Sequence, residues 1–476
     1  MTAASRAAPS LDSDCDLLVL GAGSAGFSAA ITAAELGARV ALVGRGTIGG
    51  TCVNVGCLPS KTMMRAAEAL HRIGAASRFA GIQGHCDVTD WRAVIGQKDE
   101  LVASMRHSKY IDLLSAYPSI AYREGTARVT AAGATVNGDT IRAAKTIVAT
   151  GASAAIPAIP GMESIPYLTS TTALDLERLP GSMLVIGGGY IGCELAQIFA
   201  RAGVRVTILC RSRLLPKSEP EISHALAEYF GDEGITVRTG VAYRAVRASD
   251  AGIALDVAAD GSCETLGAEM LLVATGRRPN TTGLGLTEVG VGLNANRGIE
   301  VDDRLRTSNP DIYAAGDVTG RDQFVYMAAY GAKLAARNVL NGDCERYDAG
   351  AMPTVTFTDP EVAGVGPTEA AARAAGIGVE TALLPLSYLP RAIAARDTRG
   401  LIKLVADARS GKLLGAHILA PEGGDSIQTA AMAIKTGMTV SALGDMIFPY
   451  LTTVEGLKLA AQTFHKDVSK LSCCAG

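Results

Sequence analysis

The chain has 476 residues, the length of about three ordinary domains; at 48% hydrophobic and 19% charged, with 54 glycines, its composition is that of a compact globular protein. A formal net charge of −3 argues against nucleic acid or an anionic membrane as partner. The opening MTAASRAAPSLDSD has no apolar signal core, which predicts a flexible tail over residues 1–14 and a cytoplasmic protein, where ten cysteines serve as catalytic, ligating or buried thiols rather than a disulfide framework.

The first predicted element is a strand–turn–helix–strand unit, CDLLVLGAGSAGFSAAITAAELGARVALVGRG. An apolar strand, Leu17 to Leu20, runs into Gly21-x-Gly23-x-x-Gly26; an alanine-rich helix follows, and a second strand ends near Val43. Glycines at this spacing allow a tight turn and the close approach of a pyrophosphate, with the helix N-terminus supplying partial positive charge. The uncharged run from Leu17 approaches membrane-span length, but its glycines and serines make it a poor span. The acid that would bind an adenosine ribose is missing: Gly44 stands at the strand end.

Next comes GGTCVNVGCLPSK. Cys52 and Cys57 are separated by four residues and precede a helix-like run, KTMMRAAEALHRI. A thiol near a helix N-terminus has its thiolate stabilised and becomes reactive, and Lys61, one turn on, adds positive charge. Flanking glycines, a proline and a lysine set the pair apart from two core cysteines.

The unit then recurs. SMLVIGGGYIGCELAQIFARAGVRVTILCR places Gly187, Gly189 and Gly192 in the same register after an apolar strand, which argues for a second dinucleotide site. Its second strand ends in Arg211 and Arg213 instead of an acid. Cations there suit a 2′-phosphate, hence NADPH over NADH. TIVATGASAAIP and LLVATGRRPN each place a strand before an Ala-Thr-Gly turn, as at crossings between two nucleotide domains. TSNPDIYAAGDVTG sets Asp317 after a strand and a glycine, where a carboxylate could hold a polar cofactor chain. After about residue 346, PTVTFTDPEVAGVG and GLIKLVADARSGKLLGAHILA predict an antiparallel sheet, with a hairpin at ARSGK, followed by helices. The chain ends KLSCCAG. Neighbouring Cα atoms lie about 3.8 Å apart, short of the roughly 4.4–6.8 Å of a relaxed disulfide, so Cys473 and Cys474 read as two soft thiolate ligands or as an accident of the tail.

These features in this order resemble the pyridine nucleotide–disulfide oxidoreductases, flavoproteins related to glutathione reductase and dihydrolipoyl dehydrogenase. The likeness covers nearly the whole chain: flavin unit, CxxxxC, NADPH unit, ATG turns, GD stretch and interface domain. It implies an α/β fold of two Rossmann-like dinucleotide-binding domains plus a C-terminal α+β dimerisation domain. FAD-binding segments are expected at 15–155 and 281–345, the NADPH-binding domain at 156–280, and the dimerisation domain at 346–476. The resemblance places FAD on Gly21, Gly23, Ser24, Gly26, Gly46, Gly50, Thr51, Lys61, Ala127, Thr150, Gly151, Asp317 and Val325. It places NADPH on Gly187, Gly189, Gly192, Glu194, Arg211, Arg213 and Gly276. It makes Cys57 the flavin-proximal sulfur and Cys52 the exchanging one, in a homodimer whose active sites are shared between subunits.

Relatives that reduce glutathione or lipoamide disulfides carry a histidine base in a His-Pro-x-x-x-Glu setting. The matching segment here is FPYLTTVEGLK, which keeps Glu455 but has Tyr450 at the histidine's place. A tyrosine with an unperturbed pKa of about 10 is a poor proton acceptor near neutral pH, and an organic disulfide needs protons delivered to its leaving thiol. The combination of GTCVNVGC, this tyrosine and a vicinal Cys473–Cys474 ending resembles the mercury-reducing branch of the family. That likeness implies Hg(II) + NADPH → Hg(0) + NADP⁺ + H⁺, with Hg(II) as substrate arriving as thiol complexes. Cys473 and Cys474 would pass it to Cys52 and Cys57 of the partner subunit, and Tyr110 and Tyr450 would line the site. Soft thiolates favour soft metal ions. The alternative is a reductase of a small organic or protein disulfide. The segment ahead of the flavin unit is too short for the extra GMTCxxC domain that many such enzymes carry. Cys15, Cys86, Cys193, Cys210, Cys263 and Cys344 are expected to be structural.

Overall fold

A computed structural model describes residues 14–468; the expected relay thiols Cys473 and Cys474, and residues 1–13, lie outside the described residues. The chain forms two compact units. One comprises the residues up to 60 with 93–155 and 276–348; the other comprises 61–92, 156–275 and the residues from 349 onward.

The first unit is built on a seven-stranded sheet. Cys15–Leu20 is buried except at Asp16, as suits a central strand covered on both faces. It pairs in parallel with Val40–Gly44 on one side and Asp139–Val148 on the other. Ile120–Glu124 and Ile312–Ala314 extend the parallel part. The start of Asp139–Val148 instead meets Gly133–Val136 antiparallel, and that strand pairs with Ala127–Thr130. Helices Ser24–Glu35 and Val325–Asn341 share one core, in which Ala29, Ala30 and Ala33 join Ala332, Ala335 and Ala336. Small side chains there let the two helices and the sheet come close.

The second unit holds three sheets. Thr236–Arg238, Arg205–Leu209, Ser182–Ile186 and Met270–Val273 form a parallel sheet in that order. Ala242–Ser249, Gly252–Ala259 and Ser262–Ala268 form an antiparallel meander. From residue 353 the chain builds a five-stranded antiparallel sheet, and the predicted hairpin joins Leu401–Asp407 to Leu413–Ala420. Helix Gly423–Lys435 covers this sheet, with Ile427, Ala430 and Ala431 in one core with Ile402, Leu404 and Ile418. Buried Arg201 ties helix Tyr190–Arg201 to Glu233 at 2.7 Å and to Asp359 at 3.0 Å, joining the nucleotide-type sheet to the C-terminal segment.

The architecture is α/β, with two parallel sheets each entered by strand, glycine turn and helix, and a C-terminal α+β layer. Among the described residues no helix is long and apolar enough to cross a membrane. One expectation is corrected. Cys15, Cys193 and Cys210 are buried, but Cys86, Cys263 and Cys344 are exposed and contribute nothing to a core. Cys86 lies in an irregular surface segment, Cys263 on an outward position of its strand, and Cys344 just past a helix end.

Candidate active site

The two glycine turns share one construction. Gly21 has φ +120° and Gly187 has φ +112°, values that L side chains rarely adopt. A Cβ on Gly21 would lie 2.1 Å from the carbonyl oxygen of Ala149; one on Gly187 would lie 2.3 Å from that of Ala274. Each Ala-Thr-Gly turn therefore backs its own glycine turn. A Cβ on Gly26 would meet the Gly21 carbonyl at 1.6 Å, and one on Gly192 the Gly187 carbonyl at 2.1 Å. Both 12-residue helices start from a glycine N-cap, Gly23 or Gly189, that offers no side chain to the first N–H groups. Those donors suit a phosphate. Space beside Gly189 is open, with no atom within 4 Å of a built Cβ, and the same holds at Gly151 and Gly276. Both cradles thus fit a dinucleotide.

The segment that carries Cys52 and Cys57 is fastened to the first turn. Gly49 N–H donates to the Ala22 carbonyl at 2.8 Å, and a Cβ on Gly50 would sit 2.6 Å from the Gly23 α-carbon. Cys52 lies half-buried in the short helix Gly50–Val55, and Cys57 opens the 18-residue helix Cys57–Gly74. A thiolate at that end is favoured by the helix dipole. Asn54 braces the segment: its amide donates to the carbonyls of Ile48 at 2.9 Å and Gly50 at 2.8 Å, and it accepts from Arg106 at 3.0 Å.

Tyr110 joins this group. It lies in a single π-helical turn, His107–Ile111, a feature frequent at functional sites. Its hydroxyl is 3.3 Å from Ser24 Oγ, its ring meets Phe27 edge-on at 4.9 Å, and burial pushes its pKa up. The structure therefore gathers Gly21, Gly23, Ser24, Gly26, Gly50, Cys52 and Tyr110 in one neighbourhood. Gly46 occupies a left-handed turn and Thr51 is exposed in the redox helix. Ala127 begins an edge strand, and Val325 begins a helix. Thr150 is clamped to Asn280 by two hydrogen bonds: Thr150 Oγ1 donates to the Asn280 carbonyl at 2.8 Å, and Asn280 Nδ2 donates to the Thr150 carbonyl at 2.9 Å. Asp317 is held up in pKa by burial, against the pull of Arg277 at 3.6 Å. Gly44 explains its own departure: a Cβ there would lie 2.5 Å from Ala22 Cβ and 3.2 Å from the Tyr122 hydroxyl, leaving no room for an acid.

In the second unit, buried Glu194 accepts from Lys61 Nζ at 2.7 Å and from the Phe357 amide at 2.9 Å; Lys61 also sits 4.6 Å over the Phe357 ring. Arg211 is exposed. Arg213 differs: its guanidinium donates to Ser223 Oγ at 3.2 Å and to the carbonyls of Pro216 at 3.1 Å and Ser218 at 2.7 Å, so it clasps its own loop. Glu455 is buried at the start of helix Glu455–Gln462 and accepts from the Leu451 amide at 3.2 Å. Tyr450 is 55% exposed, beside Ile447 at 97%. Sequence reasoning missed Asn54, Arg106, Asn280 and Phe357. Asn54 lies within the CxxxxC stretch itself, whereas the partners of the others are separated by tens of residues and carry no local signal.

The family model of the pyridine nucleotide-disulphide oxidoreductases matches residues 15–335, and that of their dimerisation domain matches 352–461. The chain is 48% identical over 469 residues to a mercuric reductase of Streptomyces lividans, covering 97% of this chain and 98% of that one. It is 46% identical over 462 residues to a mercuric reductase of Lysinibacillus sphaericus, covering 97% and 84%. Among solved structures it resembles the copper(II) complex of the HOCl-induced flavoprotein disulfide reductase RclA from Escherichia coli, with 30% identity and a TM-score of 0.84 over 95% of this chain and 100% of that chain.

Proposed function

The chain belongs to the pyridine nucleotide-disulphide oxidoreductases, and from that premise we propose that it is an NADPH-dependent flavoenzyme that reduces Hg(II) to Hg(0). The observation that carries the reading is near full-length likeness to mercuric reductases at 46–48% identity. The overall reaction is Hg(II) + NADPH → Hg(0) + NADP⁺ + H⁺, in a homodimer. The first glycine turn, with Asp317 and the Thr150–Asn280 clamp, holds FAD; the second, with Arg211, holds NADPH. When bound, the two cofactors supply an electron pair to the Cys52/Cys57 centre.

The protein's own residues do the rest. Cys52 and Cys57 offer two soft thiolates to a soft ion, with Cys57 favoured as thiolate by its helix end. Asn54 and Arg106 hold the segment that carries them. Glu194 fixes Lys61, and Tyr110 walls the site against Phe27. Tyr450 keeps a histidine base out, which suits a metal ion that needs no proton at a leaving group. The shared-site arrangement is supported by the exposed apolar run Met446, Ile447, Tyr450 and Leu451, within the dimerisation-domain match, as a surface for the partner subunit. Cys473 and Cys474 of one subunit then deliver Hg(II) from thiol complexes to Cys52 and Cys57 of the other. In this reading the FAD-binding segments run over 15–155 and 281–345, the NADPH-binding domain over 156–280 and the dimerisation domain over 346–476, and the enzyme works in the cytoplasm, where thiols stay reduced.

The test is NADPH oxidation with Hg(II), glutathione disulfide and lipoamide offered in parallel under excess thiol. Hg(II) alone should sustain turnover. Turnover with either organic disulfide and none with Hg(II) would replace this reading with the disulfide-reductase one.

A further inference from the structure

Two buried cysteines outside the redox centre lie against the second glycine turn. Cys193, in the first turn of helix Tyr190–Arg201, donates its thiol to the Gly188 carbonyl at 3.7 Å. Cys210 follows strand Arg205–Leu209, and its sulfur lies 3.2 Å from the place a Gly188 Cβ would occupy. Its thiol reaches the carbonyls of Ser212 at 3.9 Å and Arg238 at 3.6 Å. Gly188 is the middle residue of Gly187-Gly188-Gly189, so both sulfurs bear on the peptide that must receive a pyrophosphate. At the first turn the corresponding residues are Ala22, Phe27 and Gly44, which carry no sulfur.

We propose that Cys193 and Cys210 form a second Hg(II) site, an inhibitory one, in which the ion bridges both thiolates and locks the glycine turn out of its nucleotide-binding shape. Among the described residues no cluster of three or more His, Cys, Asp or Glu side chains could hold a metal ion. A soft ion content with two thiolates needs no such cluster. Loading is a ligand exchange: two Hg–S bonds to small thiols break and two to the protein form. Each cysteine proton leaves with a departing thiolate, and no electrons move. Once one sulfur has bound, the other acts at high effective concentration, so the chelate resists thiols that strip single-thiol adducts. Both thiols are shielded, with burial raising each pKa and ionisation of Cys210 opposing that of Cys193. Attack therefore requires the turn to open. A nucleotide seated on the turn keeps it closed, so the site is reached in nucleotide-free enzyme.

The proposal rests on the assignment of this turn to NADPH, and the test reads that assignment separately. FAD-loaded enzyme carrying Cys52→Ser, Cys57→Ser, Cys473→Ala and Cys474→Ala is treated with bis(glutathione)–Hg(II) and freed of loose mercury with excess glutathione. Retained mercury and NADP⁺ affinity are then measured. Roughly one ion per subunit should remain, and NADP⁺ affinity should fall by at least about tenfold. NADP⁺ present during loading should prevent both. Adding Cys193→Ala, or independently Cys210→Ala, should abolish retention and leave NADP⁺ affinity unmoved by mercury, with flavin content reporting intact folding. No retention in the parent, equal retention in both added variants, or retention without a change in NADP⁺ affinity would each overturn the site. Failure of the untreated parent to bind NADP⁺ would instead remove the nucleotide assignment, and this proposal with it.

Discussion

The two glycine turns are near copies in backbone and differ in what they carry. In each, the first glycine donates its N–H to a carbonyl in the last two residues of the next strand, Gly21 to Val43 at 2.7 Å and Gly187 to Leu209 at 2.8 Å. Each is backed by an Ala-Thr-Gly carbonyl, and each opens a 12-residue helix. The first turn is then overlaid by Gly49 and Gly50, which lead into the Cys52 helix, while among the described residues the space beside Gly189 at the second is open and two sulfurs lie against Gly188. On the proposed assignment the same cradle would serve FAD in one place and NADPH in the other.

Removing the redox pair breaks the comparison most severely. Cys57→Ser should lower Hg(II)-dependent NADPH oxidation on the order of 10³-fold or more, since the group acts only in the chemical step. Flavin content and NADP⁺ affinity should stay near wild type. A variant with substantial turnover would place the chemistry elsewhere.

Alanine at the third glycine tests whether the turns hold different nucleotides. Gly26→Ala forces a Cβ to within 1.6 Å of the Gly21 carbonyl, and Gly192→Ala one to within 2.1 Å of the Gly187 carbonyl. Backbone must shift, at a cost of about 1–3 kcal/mol or more. Gly26→Ala should be purified depleted of flavin. Gly192→Ala should keep its flavin and lose NADP⁺ affinity by about 10–100-fold. The reverse pattern would exchange the two assignments.

Substitutions at the strand end sharpen the difference further. Arg211→Gln should raise KM for NADPH about tenfold or more with little change for NADH, the effect of losing one charge-assisted hydrogen bond. Arg213→Gln should act on both nucleotides alike, because its guanidinium is used on Ser223, Pro216 and Ser218. The ratio of KM changes for NADPH and NADH in each variant decides it. A selective loss in Arg213→Gln would show that the clasp opens to meet the phosphate.

What was legible in the sequence follows from range. The glycine registers, CxxxxC and the ARSGK hairpin are local patterns, each fixed by spacing within a few residues, and the folded protein forms them where the spacing predicts. Gly44 was legible as a departure, but its cause, Ala22 and Tyr122 filling the space, needed the sheet. Arg211 and Arg213 look equivalent in sequence; only the path of residues 213–223 separates an exposed cation from a loop clasp. Lys61 with Glu194, and Arg106 with Asn54, are paired across 133 and 52 residues, beyond any local periodicity. The sulfurs beneath Gly188 were read singly as structural, since nothing in their spacing brings Cys193 and Cys210 to one peptide.

The smallest expected effect lies at the strand end of the second turn. The Leu209 carbonyl accepts twice, from Gly187 N–H and, at 2.7 Å, from the hydroxyl of half-buried Tyr243. Burial pushes the Tyr243 pKa up to about 12, helped by the nearby Cys210 thiol and opposed by Arg211. The sign follows from linkage: a phenol whose folded pKa exceeds its unfolded value of 10.0 lends stability that is complete below pH 10 and is lost as pH climbs towards about 12. Tyr243→Phe should cost about 0.5–1.5 kcal/mol at neutral pH, the worth of one hydrogen bond, and that cost should shrink between pH 10 and 12 as wild type loses the same contribution. Phenolate absorbance, wild type minus variant, reads the titration of this one residue. Cys210→Ala should shift it downward by removing a neighbouring negative charge, whereas Arg211→Gln should shift it upward. A Tyr243 that titrates near 10 in every background would show that its hydroxyl is solvated and that the second turn is held by its glycines alone.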